Sequence, residues 1–292
     1  MSLTRRDFLK ASASIAAAFG FKVNSAFANE GGLSVIWLQA QSCTGCSVSL
    51  LNSMYYDTID GLLLNTLDLN FHPTLMAGAG DLARAAAQQA YTRGNYALVV
   101  EGAVPTGASG KYCYLWPGLT AVEGVKAYAA KTPYVIAVGT CAAFGGAPAA
   151  PPNPTGAVSV QTLLGTGKKV IRIPGCPTHP DWIVGTVAHM LKYGSVPALD
   201  SQGRPTMFFG TTVHDVCPLR EGPEAHALGQ SGCLEELGCR GPETRADCVK
   251  RRWNSNAQGT FGVSWCIGSR APCNGCTESR FSELRPFYKS DD

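Results

Sequence analysis

Charge is scarce in this sequence of 292 residues: Asp, Glu, Lys and Arg make up 15% of it, against 45% hydrophobic residues. A chain of that balance buries a core rather than staying disordered. The net charge is only +3, and its source is the front of the chain, where Arg5, Arg6, Lys10 and Lys22 face Asp7; from residue 29 onward 20 basic and 20 acidic side chains balance. Also lacking are a basic stripe with interleaved aromatics, zinc-finger spacing and an RNA-binding aromatic signature. Those absences exclude the phosphate contacts and base stacking of a nucleic-acid partner. No run reaches the ~18 consecutive apolar residues of a membrane span, so none is expected in the mature chain. Repeats and low-complexity tracts are missing too, and residues 147–154 are a Pro-rich loop. Gly165-Thr166-Gly167-Lys168-Lys169 is too short and wrongly spaced for a phosphate loop and reads as a turn. With 33 Gly and 18 Pro, the chain needs many tight turns, which excludes a coiled coil or long bundle.

The first segment carries an address. Thr4-Arg5-Arg6-Asp7-Phe8-Leu9-Lys10 leads into a weakly apolar stretch broken by Ser12, Ser14, Gly20, Lys22 and Asn24, which ends on the small-x-small pattern Ala26-Phe27-Ala28. This predicts a twin-arginine export signal over residues 1–28 and a periplasmic mature protein. A membrane-spanning first helix is the competing reading, but the run is too short and too interrupted to cross ~30 Å of hydrocarbon. The twin-arginine route moves chains that have already folded, often around a cofactor, and so favours metal over disulfide for the 12 Cys. Phe287-Tyr288-Lys289-Ser290-Asp291-Asp292 shows no anchor, so a soluble mature chain is expected.

Length allows about two domains. Short, nearly continuous apolar runs recur at residues 33–38, 67–71, 96–100, 134–138 and 169–173, as in parallel strands buried on both faces. Helical patterns at 47–56, 81–91, 119–130 and 180–192 lie between and after them. The alternation predicts an α/β fold: a flavodoxin-like doubly wound parallel sheet within residues 29–195, with functional groups at the carboxyl ends of its strands. Residues 196–292 hold 7 of the 12 Cys and few periodic apolar segments. A smaller, irregular domain is expected there, stapled by disulfides or metal clusters.

The cysteines follow that frame. Cys43-Thr44-Gly45-Cys46 comes after the first predicted strand, Cys141 after the fourth and Cys176 after the fifth. Strand ends of a doubly wound sheet converge on one edge, so four thiolates there can hold a 4Fe–4S cubane. CxxC alone also fits a thioredoxin-like pair or half of a zinc site. In the second domain, His214-Asp215-Val216-Cys217 with Cys233 and Cys239 suits zinc as readily as iron–sulfur, and a surface His among structural cysteines is the plainer alternative. As a cluster ligand, neutral imidazole in place of thiolate would raise the potential, which suits an electron exit. Cys248, Cys266, Cys273 and Cys276 make another four. The count then leaves Cys113 alone. Twelve cysteines could also pair as disulfides, but that would not require His214 or explain three CxxC or HxxC pairs.

Taken together, these residues resemble the small, electron-transferring subunit of nickel–iron hydrogenases over nearly the whole chain. The marks are the twin-arginine pattern, Cys43-Thr44-Gly45-Cys46-Ser47, Val100-Glu101-Gly102-Ala103-Val104-Pro105, Gly139-Thr140-Cys141, Pro151-Pro152-Asn153-Pro154, Pro174-Gly175-Cys176-Pro177, His214-Asp215-Val216-Cys217 and the Cys273/Cys276 pair. The resemblance implies a proximal cluster on Cys43, Cys46, Cys141 and Cys176, facing the nickel–iron site of a large subunit. It implies a distal cluster on His214, Cys217, Cys233 and Cys239, and a medial one on Cys248, Cys266, Cys273 and Cys276. Common members have a 3Fe–4S medial cluster and Pro where this chain has Cys266, so a fourth thiolate implies three 4Fe–4S clusters, as in the nickel–iron–selenium branch. Oxygen-tolerant relatives carry an extra Cys at the place matched here to Cys113 and another inside the CxxC pair. Gly45 at that second position excludes their unusual cluster, which leaves Cys113 as a near-cluster thiol or a small buried hydrophobe. Glu101 ends the third strand on the cluster side, where it can cap backbone amides or take part in hydrogen bonding and proton movement.

The function so implied is that of the hydrogenase subunit without the catalytic centre. H2 is split in the large subunit, and this chain passes the electrons to a soluble acceptor such as a periplasmic c-type cytochrome. One rival is a flavin enzyme, but it would need a Ser/Thr/Gly phosphate cradle where Cys43 and Cys46 stand. A secreted zinc- or disulfide-stapled binding module is the other. A relative of the cluster-bearing subunit of respiratory complex I would explain the first four cysteines but not the second domain.

Overall fold

The computed structural model describes residues 28–29, 32–254 and 262–284. The export signal expected over residues 1–28 lies, but for its last residue, outside the described residues, as do residues 285–292. Five parallel strands form the central sheet: β1 (Gly32–Gln39), β2 (Leu67–Phe71), β3 (Ala97–Glu101), β4 (Tyr134–Val138) and β5 (Val170–Ile173). Their spatial order is β2-β1-β3-β4-β5, and Ala28–Asn29 adds a short antiparallel edge to the start of β1. That order is the flavodoxin-like one, whose switch point lies between β1 and β3.

Alternation along each strand builds two core layers. Val35, Trp37, Val99, Ile136 and Ile173 face one side; Ile36, Leu38, Leu98, Val100 and Ala137 face the other. Helices α2 (Gly80–Arg93) and α3 (Ala121–Ala130) cover the second side with Ala83, Ala87, Ala90, Val125 and Tyr128. Thr120 and Glu123 cap α3 reciprocally: the Thr120 hydroxyl accepts the Glu123 N–H at 3.2 Å and the carboxylate accepts the Thr120 N–H at 3.0 Å. Helix α5 (Pro180–Tyr193) covers the first side with Ile183, Val184, Val187 and Met190. It starts on Pro180 behind the capping ring of His179 and stops at Gly194, whose φ of 63° suits a left-handed cap.

Strand predictions match to within a residue or two at each end. One helix departs more. The pattern at 47–56 becomes a six-residue α1 (Gly45–Leu50), and Tyr55 and Tyr56 turn away to pack their rings on the Arg251 guanidinium, with ring centroids 5.5 and 5.8 Å from it. Helix α4 (Gly139–Phe144) is also six residues long, too short to announce itself by periodicity.

Beyond residue 196 regular structure is sparse, with helical turns at Thr206–Phe209, Cys248–Arg251 and Phe281–Leu284 and isolated bridges such as Thr212 with Arg245. This lobe has no separate core among the described residues. Phe208, Phe209, Val213, Leu234, Trp265 and Ile267 join Trp182 and the α5 side of the sheet in one continuous cluster. A buried ion pair seals the seam. Arg251 bonds Asp181 of α5 across it at 3.1 Å and Asp247 at 2.7 Å, and within the second lobe Arg204 bonds Asp200 at 2.7 Å and Glu278 at 2.8 Å. No helix among the described residues is long and apolar enough to cross a membrane.

Candidate metal centres

Three strand ends deliver the first four thiols. Cys43 and Cys46 follow β1, Cys141 lies in α4 directly after β4, and Cys176 follows β5. All four line one cavity of about 110 Å³, with Glu101 and Gly139 in its wall. Gly139 has φ 86°, and a Cβ there would stand 2.6 Å from Cys46 Sγ, so only glycine lets α4 start this close to the sulfur. Cys46 is buried, whereas Cys43 and Cys176 are exposed at the rim. Burial pushes the Cys46 thiol far up, helped by the charges of Glu101, Cys141 and Cys43 and opposed by the Thr178 amide. Cys141 is pushed up to about 12, first by burial and then by Cys176. Such a set can ionise together only around cationic charge.

Glu101 meets its capping expectation. Buried at the end of β3, it accepts the Cys46 N–H at 3.1 Å and the Ser47 N–H at 3.4 Å through Oε1. Its Oε2 accepts Trp37 Nε1–H at 3.1 Å, Gln39 Nε2–H at 3.2 Å and the Ser47 hydroxyl at 2.5 Å. Ser47 Oγ also lies 3.1 Å from Nε2 of buried His72, whose Nδ1 accepts the amides of Thr74 and Leu75, each at 3.2 Å. That fixes the ring proton on Nε2. Burial lowers the His72 pKa to about 4 although Glu101 pulls it upward. Sequence reading missed His72 and gave Ser47 no role beyond its place in the Cys43–Ser47 motif; Gln39 stands in register opposite Glu101.

The second lobe gathers the other two groups. Cys248, Cys266, Cys273 and Cys276 line a cavity of about 400 Å³ together with Trp182, Trp253 and Trp265. Cys248 is held well above the usual thiol range by burial and then by Cys276, Asp247, Cys273 and Cys266. His214, Cys217, Cys233 and Cys239 form the third group. Burial and then the Leu219 amide, Cys233 and Cys239 act on the Cys217 thiol, with a net rise. His214, Cys233 and the exposed Glu235 offer ligand atoms within 4.8 Å of one another, and no sequence motif singles out Glu235. The groups also touch: the Cys273 N–H donates to Cys239 Sγ at 3.3 Å, and Cys176 of the first group lines the cavity of the second.

All twelve cysteines are free thiols. That, with thiols converging in fours on shared cavities, fits metal clusters and not a disulfide framework. Arg240, the residue after Cys239, has a buried Nε without a hydrogen-bond partner among the described residues. Cys113 does not belong with the first four. It lies half-buried against the second core layer with Leu115 and Trp116. Besides Gly139, the glycines that approach these sulfurs are Gly45, whose Cβ would stand 3.1 Å from Cys43 Sγ, and Gly146, 2.9 Å from Cys141 Sγ. Of the two readings of Cys113, near-cluster thiol or small hydrophobe, its surroundings support the second.

A family model described as NADH ubiquinone oxidoreductase, 20 Kd subunit, matches residues 43–190, and the C-terminal model of the NiFe/NiFeSe hydrogenase small subunit matches residues 209–288. The periplasmic NiFeSe hydrogenase small subunit of Desulfomicrobium baculatum is 39% identical over 323 residues, covering 100% of both chains. The chain belongs to the NiFe/NiFeSe hydrogenase small subunits. The periplasmic NiFe hydrogenase small subunit of Solidesulfovibrio fructosivorans is 40% identical over 304 residues, covering 98% of this chain and 93% of that one. Among solved structures, the recombinant NiFeSe hydrogenase from Desulfovibrio vulgaris Hildenborough superposes with a TM-score of 0.80 at 41% identity, over 90% of this chain and 99% of that one. The likeness to the 20 Kd family thus spans all four thiols of the first group, and the hydrogenase likeness extends to the second lobe of this small subunit.

Proposed function

We propose that this hydrogenase chain passes electrons between the H2-activating nickel–iron site of a large subunit and an external carrier, through three 4Fe–4S clusters. The observation that carries the reading is the arrangement of twelve candidate ligands as three contiguous groups of four. Cys43, Cys46, Cys141 and Cys176 would hold the proximal cluster. Cys248, Cys266, Cys273 and Cys276 would hold the medial one, and His214, Cys217, Cys233 and Cys239 the distal one. When bound, such clusters supply one-electron redox groups whose potentials follow charge, burial and hydrogen bonds to sulfur.

The chain's own residues set those terms. Cys43 and Cys176 are exposed at the proximal rim, where a large subunit would cover them. Trp182, Trp253 and Trp265 line the medial cavity with aromatic surface. His214 removes one negative charge from the distal group relative to four thiolates, which suits an exit to a carrier such as a c-type cytochrome. Cys266 as fourth medial ligand supports a place in the nickel–iron–selenium branch. Twin-arginine export of a folded chain to the periplasm agrees with the relatives named periplasmic. Residues 1–28 would then be the signal, 29–195 the proximal domain and 196–292 the domain of the other two clusters.

The deciding measurement is iron and acid-labile sulfide in the mature protein purified with its partner, combined with EPR of the oxidised and reduced forms. About twelve iron atoms are expected from three cubanes. An intense oxidised 3Fe–4S signal would overturn the role of Cys266, and zinc in place of iron would overturn the whole reading.

A further inference from the structure

Two buried threonines that ligate nothing stand at the joins between the thiol groups. Thr140, 1% exposed, precedes Cys141. Its N–H donates to the Gly175 carbonyl at 3.0 Å, its Oγ1 accepts the Gly175 N–H at 2.9 Å, and its hydroxyl proton goes to the Cys276 carbonyl. One side chain thereby locks together the residue before Cys141, the residue before Cys176 and a medial ligand from the other lobe. Cys176 in turn lines the same cavity as Cys276.

The second join repeats the plan. Thr244, 2% exposed, donates its hydroxyl to the Arg240 carbonyl and lies with Oγ1 3.5 Å from Cys273 Sγ. Arg240 follows the distal ligand Cys239, and its N–H donates to the Cys273 carbonyl at 2.7 Å while the Cys273 N–H donates to Cys239 Sγ. At the second join a ligand residue of one group hydrogen-bonds the sulfur of the next, and at both joins a buried threonine hydroxyl holds the two loops in register.

We infer that Thr140 and Thr244 are positioning residues for electron transfer between neighbouring groups: Thr140 holds the proximal-to-medial contact and Thr244 the medial-to-distal contact. This rests on the three-cluster reading above. Tunnelling weakens exponentially with the gap between redox groups, and a bonded or hydrogen-bonded link carries it better than a gap through space. The step assisted is the passage of one electron: the donor group is oxidised by one charge and the acceptor reduced by one. H2 oxidation in the partner supplies the electrons and an added viologen dye removes them. The hydroxyl in each clamp can be changed without replacing a ligand residue.

The test compares T140V, T244V and the hydroxyl-retaining T140S in the complex with the large subunit. Three readings are taken: iron content, hydrogen isotope exchange, which needs no electron to leave the partner's site, and H2-driven reduction of benzyl viologen. EPR of the reduced protein reports magnetic coupling between neighbouring clusters. The expected result is unchanged iron and isotope exchange in T140V, viologen reduction lowered about ten-fold, weakened cluster–cluster coupling, and recovery of both in T140S; T244V behaves likewise at its own join. Unaltered viologen reduction and coupling in both valine variants overturns the inference, as does loss of iron or of isotope exchange in step with viologen reduction, which makes the threonines folding elements only. Wild-type complex without iron would instead sink the three-cluster reading before any variant is compared.

Discussion

Glu101 concentrates five donors on one carboxylate, and two of them, the Cys46 and Ser47 amides, open α1 beside a candidate ligand. Its negative charge also bears on the Cys46 and Cys141 thiols. Glu101→Gln keeps the shape and removes the charge, which favours the reduced form of the neighbouring group. The proximal potential should therefore rise, as read by EPR-monitored redox titration; an unchanged or lower value counts against placing a cluster there. The residue is legible from its place at the end of the third apolar run. Its partners are not, because Ser47 and His72 reach this network across 54 and 25 residues of chain.

Two histidines give the molecule an acid limit. Burial lowers His72 and His179 to about 4 from an ordinary 6.5. Both are neutral in the fold, with His179 Nε2 on the Arg252 carbonyl at 2.7 Å and Nδ1 accepting the Asp181 N–H at 3.1 Å. Between pH 6.5 and 4 the unfolded chain binds protons that the folded one refuses, so stability falls as pH falls through that window and levels off below it. Each ring removes roughly 1 kcal/mol by about pH 5.5. Thermal midpoints should drop from about pH 7.5 to about 5.5, and His72→Gln should flatten the slope.

At the scale of elements, the five strands could be read because parallel strands buried on both faces are apolar almost throughout. Short helices could not, since six residues give under two turns of periodicity. Helix α1 ends early because Tyr55 and Tyr56 have better contacts with Arg251 from the far lobe. The start of α4 shows how tightly an element can be specified by what it approaches. Gly139→Ala combines a left-handed backbone with a clash against Cys46 Sγ. Iron in the purified complex should fall from about twelve atoms to about eight as the proximal group is lost, with the other two retained. Full iron in this variant would mean that the site tolerates the added methyl group.

Considered whole, the molecule is two lobes on one core. Cysteine spacing marked the candidate ligands of the second lobe, whereas its packing was invisible: Phe208, Val213, Leu234 and Trp265 are scattered in sequence and meet against Trp182 and α5. Arg251 spans that seam between Asp181, 1% exposed, and Asp247. Arg251→Met strands the buried Asp181 carboxylate and should destabilise the protein by about 3 kcal/mol. The double change with Asp181→Asn should recover part of that loss in a denaturant titration; strictly additive effects would show that the two groups are uncoupled.

The exposed pair Cys43 and Cys176, flanked on α1 and just past its end by the exposed apolar side chains of Val48 and Leu51, has a consequence for supply inside the cell. Sulfur ligands open to solvent are attacked by oxidants, and bare apolar side chains invite self-association. A surplus copy of this polypeptide, made without a companion to shield that rim, has a short useful lifetime. Matched production of the two halves would limit that exposure.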